Sequence, residues 1–157
     1  MSHPPLAQAL GRIPSGLFVV TCQAESGPIG FLGSFVQQVG LAPPTIAVAV
    51  AQGRDHLAAI RASGHFAVSV LDPECKHAMP PFFGKVPEGR TPFDVLPHRA
   101  TEHGPVVLDD ALAWFACRVI GEFDAGDHVV VFGQALAGEL QRSGDPSVHL
   151  RKNGLSY

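Results

Sequence analysis

The sequence predicts a mainly β fold, an antiparallel barrel carrying short helical insertions, and three observations lead there. Val- and Phe-rich runs of strand length dominate the chain. Gly, Pro and Asp clusters divide these runs at short intervals, as hairpin turns do. Helical periodicity is confined to one or two short segments, whereas a doubly wound parallel sheet alternates strand and helix throughout.

Taken in order, Leu6 to Arg12 reads as a short helix closed by Pro14 and Gly16, and Leu17 to Gln23 as the first strand. Glu25-Ser26-Gly27-Pro28 forms a turn into one continuous strand, Ile29 to Val39, in which Gly30 and Gly33 mark close approach of a ligand or another backbone. Pro43-Pro44 breaks the chain before Thr45 to Ala51, a run so apolar that both of its faces are expected to be covered. Arg54 to Ser63 has Leu57 and Ile60 on one face and Gly64 after its end, the pattern of an amphipathic helix. His65 to Leu71 returns to strand, Pro73 to Val86 is partly helical, and Pro87 to Pro105 is a long excursion of the kind that covers or builds a site. Leu112 to Phe123 and His128 to Leu140 flank Asp124-Ala125-Gly126-Asp127 as a long hairpin, and Ser147 to Lys152 adds a final edge strand.

At 157 residues the chain has the size of one domain, residues 1–157, and its 46% apolar content suffices for a core without disulfide or metal. A net charge of -3 with no basic run argues against nucleic acid. No apolar run approaches the roughly 20 residues of a membrane span, and the first residues lack a leader's charged and apolar regions, so a cytoplasmic protein without membrane contact is expected. Cys22, Cys75 and Cys117 are odd in number and widely spaced, as buried reduced thiols are. Cys75-Lys76-His77 is the tightest His/Cys pair but has no matching second pair, so no metal site is expected.

No nucleophile elbow, phosphate loop or G-x-G-x-x-G occurs, and no catalytic side chain is assigned. The informative features suit a planar, anionic ligand. Ser34, Gln37 and Gln38 interrupt an apolar strand, and polar groups buried there need either neighbouring backbone or a polar-edged ligand. Arg54 opens a helix, where amides and a guanidinium converge on a phosphate, or else simply faces solvent. Phe82-Phe83-Gly84-Lys85 joins aromatic surface, flexible backbone and a cation, and also suits plain packing before a loop. Gly126-Asp127 fits a hairpin turn without any function, but His128 beside it is less simply explained.

In their order and spacing these segments resemble the flavin reductase-like family of flavin-binding split barrels, from about Ile13 to Tyr157. Pro14-Ser15-Gly16-Leu17-Phe18-Val19-Val20-Thr21 looks like the family's opening strand, and Gly33-Ser34-Phe35-Val36-Gln37-Gln38-Val39 before Pro43-Pro44 like its flavin-contacting strand. Gly126-Asp127-His128 and Leu150-Arg151-Lys152-Asn153-Gly154-Leu155-Ser156-Tyr157 match later signatures. Val48-Ala49-Val50-Ala51-Gln52-Gly53-Arg54 and the Arg-Lys-x-Gly ending are most similar to the C-terminal flavin reductase module of cyanobacterial diflavin proteins. Where many relatives carry a Lys-x-Ser-x-Thr-like run, this chain has Gly53-Arg54-Asp55-His56, which shifts phosphate binding onto Arg54 and backbone amides.

The resemblance implies an FMN-binding split barrel and an NAD(P)H:flavin oxidoreductase passing a hydride from NADH or NADPH to bound FMN, with FAD an alternative cofactor. It implies a homodimer with flavin near the interface, and an electron-accepting partner protein. Gly33, Ser34, Phe35, Val36, Gln37, Gln38, Ala51 and Gln52 would surround the flavin, with Arg54, Phe83, Gly84 and Lys85 around its phosphate and His128 towards the nicotinamide. Two other classes share these residues: an FMN-binding electron-transfer protein with little nicotinamide activity, and a protein handling metal or haem through its His and Cys.

Overall fold

In the computed structural model residues 2–156 are described, so that Tyr157, the last residue of the closing motif, lies outside the described residues. The strands are β1 (Phe18–Ala24), β2 (Gly27–Gly33), β3 (Val36–Leu41), β4 (Pro44–Ala51), β5 (His65–Val70), β6 (His98–Ala100), β7 (Val106–Leu108), β8 (Ala113–Asp124) and β9 (His128–Leu140). Helices α1 (Pro5–Leu10), α2 (Asp55–Ser63) and α3 (Pro92–Val95) join them, with two 3-10 segments at Pro73–Ala78 and Pro80–Phe83.

Seven strands form one antiparallel sheet in the order β2-β1-β5-β8-β9-β4-β3, and β6 pairs with β7 apart from it. The two edge strands, β2 and β3, are consecutive in the chain and only Ser34 and Phe35 join them. Laid flat, seven strands would hold their edges about 29 Å apart. Three Cα–Cα steps span at most about 11 Å. The sheet must therefore curl until its edges face each other across an unpaired seam, which makes it a split barrel. Register shifts at Gln38/Gly40 in β3 and at Ala116/Cys117 and Val119/Gly121 in β8 supply bends for that curvature.

Inside the barrel lie the alternate residues Val20 and Cys22 of β1, Val48 and Val50 of β4, and Val129 and Val131 of β9, centred on the fully buried Phe66. Leu57 and Ile60 of α2 close one end of this core, and Gly64 ends α2 in the left-handed region at φ 74°. The opposite face of β1 is covered as well. Val19 clusters with Leu71 just after β5, with Phe93 and Leu96 of the long excursion and with Val106 and Leu108 of β7, and the excursion contains α3 and β6 as well as loop. Two buried hydroxyls fasten that layer: Thr21 donates to the Val106 carbonyl, and Ser69 Oγ accepts from Leu108 N at 3.0 Å.

Three sequence expectations change. The strand expected over Ile29 to Val39 breaks at Ser34-Phe35, because its halves belong to opposite sheet edges. β4 buries one face only: Ile46, Val48 and Val50 point inward, while Ala47, Ala49 and Ala51 stay partly exposed. Residues 147–156 form an extended strap with a single bridge, Ser15 to His149, in place of an edge strand.

Gly133 sits in the middle of β9, where a Cβ would lie 2.5 Å from the Phe66 ring and 2.8 Å from Cys117 Cβ. Gly133→Ala should lower stability by about 1–3 kcal/mol through overpacking. Urea unfolding measures this, and an unchanged midpoint would show that Phe66 can move aside.

Candidate functional site

A cavity of about 320 Å³ opens where the barrel splits. Gly33, Ser34 and Phe35 form one wall, and Ala49 and Ala51 of β4 form another, where methyl side chains leave room that larger residues would fill. Arg54 and His56 reach it from the start of α2, Phe82 and Phe83 from the second 3-10 segment, and His128 from the start of β9.

Each side chain is placed by a backbone device. His128 is held opposite Ala51 by the β4–β9 register, and the Gln52 N–H donates to the Asp127 carbonyl at 2.9 Å just beyond it. The His128 side chain is only 15% exposed. Its Nδ1 lies 2.9 Å from the Asp127 carboxylate, and its ring meets Phe35 edge-on at 5.8 Å. That hydrogen bond holds the Asp127 carboxyl below the usual carboxylate range. Arg54 is the exposed, extended residue before α2, its carbonyl accepting from Leu57 N, so it and the start of the helix meet at the cavity's edge. Ser34 lies outside both strands, and neither its hydroxyl nor its N–H makes a hydrogen bond among the described residues.

His56 is half-buried. Its Nε2 donates to the Gly30 carbonyl at 2.9 Å, which leaves Nδ1 the unprotonated nitrogen, buried and without a partner among the described residues. Burial, and then the charge of Arg54, hold its pKa below the ordinary histidine value against the opposing Gly30 bond and Asp55. The ring also packs edge-on against Phe31 at 5.1 Å.

Of the residues singled out in the sequence, Gly33, Ser34, Phe35, Ala51, Arg54, Phe83 and His128 surround this one cavity. Val36, Gln37 and Gln38 line a neighbouring groove that shares Ser34 and Phe35 with it. Gln37 and Gln38 are exposed, not buried, and their side-chain amides donate to the carbonyls of Gln38 and Gly40. Gly84 ends the second 3-10 segment at φ 81°. Lys85 lies in a separate groove with Lys76 and Pro80, which also borders Phe83. Sequence reasoning missed Phe31, Ala49 and His56. The alternation of Ile and Val with Ala along Ile46 to Ala51 was the available signal for Ala49, whereas nothing local announces His56.

Cys22, Cys75 and Cys117 are all buried, which pushes their thiols up to about 12, 11 and 12. Cys75 and His77 do not converge: the thiol points into the core while the exposed imidazole pairs with Asp110 at 2.9 Å. Among the described residues no three His, Cys, Asp or Glu side chains gather as a metal site, and no helix is long and apolar enough to cross a membrane.

The family model described as flavin reductase like domain matches residues 10–154. Diflavin flavoprotein A 1 of Synechocystis sp. (strain ATCC 27184 / PCC 6803 / Kazusa) is 30% identical over 154 residues, covering 97% of this chain and 27% of that protein. The probable flavin reductase of Rhizobium meliloti (strain 1021) is 32% identical over 153 residues, covering 97% of this chain and 45% of that protein. The chain thus spans about a quarter to just under half the length of these relatives. Among solved structures, BorF, the flavin reductase component of a bacterial two-component tryptophan halogenase, superposes with a TM-score of 0.80 at 28% identity, over 92% of this chain and 91% of that one.

The burial of His56 has a direct consequence in solution. Its imidazole should titrate below the ordinary value of about 6.5, and because the folded-state pKa is the depressed one, its contribution to stability is lost as pH falls below that value. Side-chain NMR titration reads this directly, and a value at or above 6.5 would contradict the placement of Nδ1.

Proposed function

This chain belongs to the flavin reductase-like domain family, and we propose that it binds FMN in the cavity at the split and carries a hydride from NADH or NADPH to it as an NAD(P)H:flavin oxidoreductase. The observation that carries this reading is the seam itself, where Ser34, Arg54 and His128 surround one cavity walled on one side by alanines. The residues fit the group. Ser34 offers an unpaired hydroxyl and N–H to the polar edge of a planar ring, and Ala49 and Ala51 let such a ring lie close to the sheet. Arg54 and the first amides of α2 suit its phosphate, a role that Lys85, in its own groove, is less well placed to share.

When bound, the flavin supplies the redox chemistry, accepting the hydride at N5. The chain's part is to position and to exclude water. His128, oriented by Asp127 and packed on Phe35, borders the cavity where a nicotinamide would stack, and the reading makes it a positioning residue. A homodimer accords with the exposed apolar residues Val39 and Leu41 on the β3 edge and Ile13 beside the groove. Sedimentation at about twice 16.6 kDa is the check. As BorF is one component of a two-component halogenase, the reduced flavin or its electrons would pass on to a partner protein.

Anaerobic NADH or NADPH should bleach the absorbance of bound flavin. Flavin that binds but stays oxidised with both would establish an electron-transfer protein instead, and no saturable flavin binding would end the reading. Arg54→Ala should weaken FMN more than riboflavin by about 1–2 kcal/mol, at the low end for a charge-assisted bond because Arg54 is exposed. Equal losses would move Arg54 off the phosphate. His128→Ala should raise KM for the nicotinamide with little change in flavin affinity, and stopped-flow reduction at varied NAD(P)H separates the two.

A further inference from the structure

Helices ordinarily spend an Asp, Asn, Ser or Thr side chain on their first amides. At the cap position of α2 stands Arg54, which has no acceptor to offer, and no side chain caps the helix. Gly53 turns the chain just before it in the left-handed region at φ 73° and has no side chain to brace the turn. Leu57 packs into the core, but apolar packing is non-directional. The directional tie is His56, whose ring makes the only side-chain hydrogen bond of residues 53–57 among the described residues. Its Nε2 donates to the Gly30 carbonyl of β2 at 2.9 Å, its ring packs edge-on against Phe31 of the same strand, and its carbonyl accepts from the Cys22 thiol of β1 at 3.7 Å. Although His56 borders the cavity, Nδ1 is buried and closed off from it.

We propose that His56 is a positioning residue for the phosphate grip: as the neutral Nε2–H tautomer it latches the first turn of α2 to Gly30 and so holds Arg54 and the first-turn amides at the cavity's edge. The latch bears on flavin only on the reading that a flavin phosphate binds at Arg54. Protonation releases it. The second proton must sit on Nδ1, where burial leaves it neither water nor an acceptor, so the charged ring has to swing outward and give up the Gly30 bond. The surroundings do not rescue the cation. Burial disfavours it first, Arg54 repels it, and the Gly30 bond and Asp55 favour it without offsetting burial. From β2 it meets the Gly30 carbonyl and the Phe31 ring, and from β1 the Cys22 thiol, which burial pushes up to about 12. β4 carries no titratable residue, and β5 carries only His65, beyond the opposite end of α2.

Two replacements separate the latch from mere bulk. His56→Gln keeps a side-chain N–H for Gly30 and never ionises, whereas His56→Leu keeps volume without a donor. FMN and riboflavin are titrated into the whole chain by flavin fluorescence. At about pH 7.5, His56→Leu should weaken FMN about three- to ten-fold with riboflavin little changed, and His56→Gln should restore FMN binding. Below about pH 6.5 the FMN affinity of the parent should fall more steeply than that of His56→Gln. His56→Gln retains both His128 and the phosphate's own titration, so the difference belongs to His56. A parallel fall in both proteins overturns the inference. So does FMN affinity that rises in the parent relative to His56→Gln, which would make His56 a cationic ligand of the phosphate. Equal losses of FMN and riboflavin in His56→Leu, no loss there, or no rescue by Gln each overturn it too. Hydrogen exchange reads the latch without variants or flavin: protection of the Leu57 amide, bonded to the Arg54 carbonyl at 3.2 Å, should drop along the titration of His56. Should neither flavin bind, the flavin reading falls, and a Leu57 protection that ignores His56 overturns the latch while one that follows it leaves the latch standing.

Discussion

A two-residue connection between the opposite edges of a seven-stranded sheet is the constraint on which this structure turns. Ser34 and Phe35 are too few to reach across an open sheet, so the sheet curls, and Ser34 pairs with neither edge, so the seam stays open there. A closed barrel would have satisfied its edge strands with each other and filled its mouth. The split leaves unpaired polar groups at Ser34 beside a wall of alanines, a cavity opened by an unfinished ladder. The cavity and the neighbouring groove both include Ser34 in their walls, so one serine marks their meeting point.

The rest of the molecule holds other elements against that seam. The β4–β9 register brings His128 to Ala51, and α2 caps the barrel's open end with its first turn towards the cavity. Phe82 and Phe83 arrive on 3-10 turns whose position depends on a partly buried ion pair. Asp72, 5% exposed, accepts from Cys75 N and from the Arg142 guanidinium, and Arg142 also reaches the carbonyls of Asp110 and Ala111. An ion pair so placed adds little net stability, because desolvation offsets much of the attraction, but removing one partner would strand the other charge. Its consequence here is positional, since it ties the segment after β5 to the end of β9 and so fixes where the aromatic wall of the cavity stands.

The strap beside the cavity at the split extends the same logic. A strap laced by backbone hydrogen bonds to α1, Ser15 and Leu71 orders a stretch that contributes few buried apolar side chains of its own. What it adds is charge. Arg151 lies against Phe35, which borders both the cavity at the split and the groove beside it, so the strap is in physical contact with the seam.

The sequence by itself determined the elements whose cause is local. Val- and Phe-rich runs gave β1, β5, β8 and β9, Gly64 and the Leu57/Ile60 face gave α2, and Gly126 gave the long hairpin's turn, since each depends on propensity, periodicity or a positive φ within a few residues. The ordered motifs from Gly33 to His128 carried the family and most of the cavity's residues. Only the tertiary structure decided that one apparent strand, Ile29 to Val39, is two edge strands joined at Ser34-Phe35, because hydrogen-bond partners lie far away in sequence and periodicity cannot reveal them. It also decided that Ala49 and Ala51 face the cavity and Ala47 the groove beside it, that Gln37 and Gln38 face solvent, and that Lys85 and Arg54 border different cavities. His56 shows the reason most plainly: its buried, unpartnered Nδ1 follows from the Gly30 carbonyl on a strand 26 residues earlier, a contact created only when α2 closes the barrel.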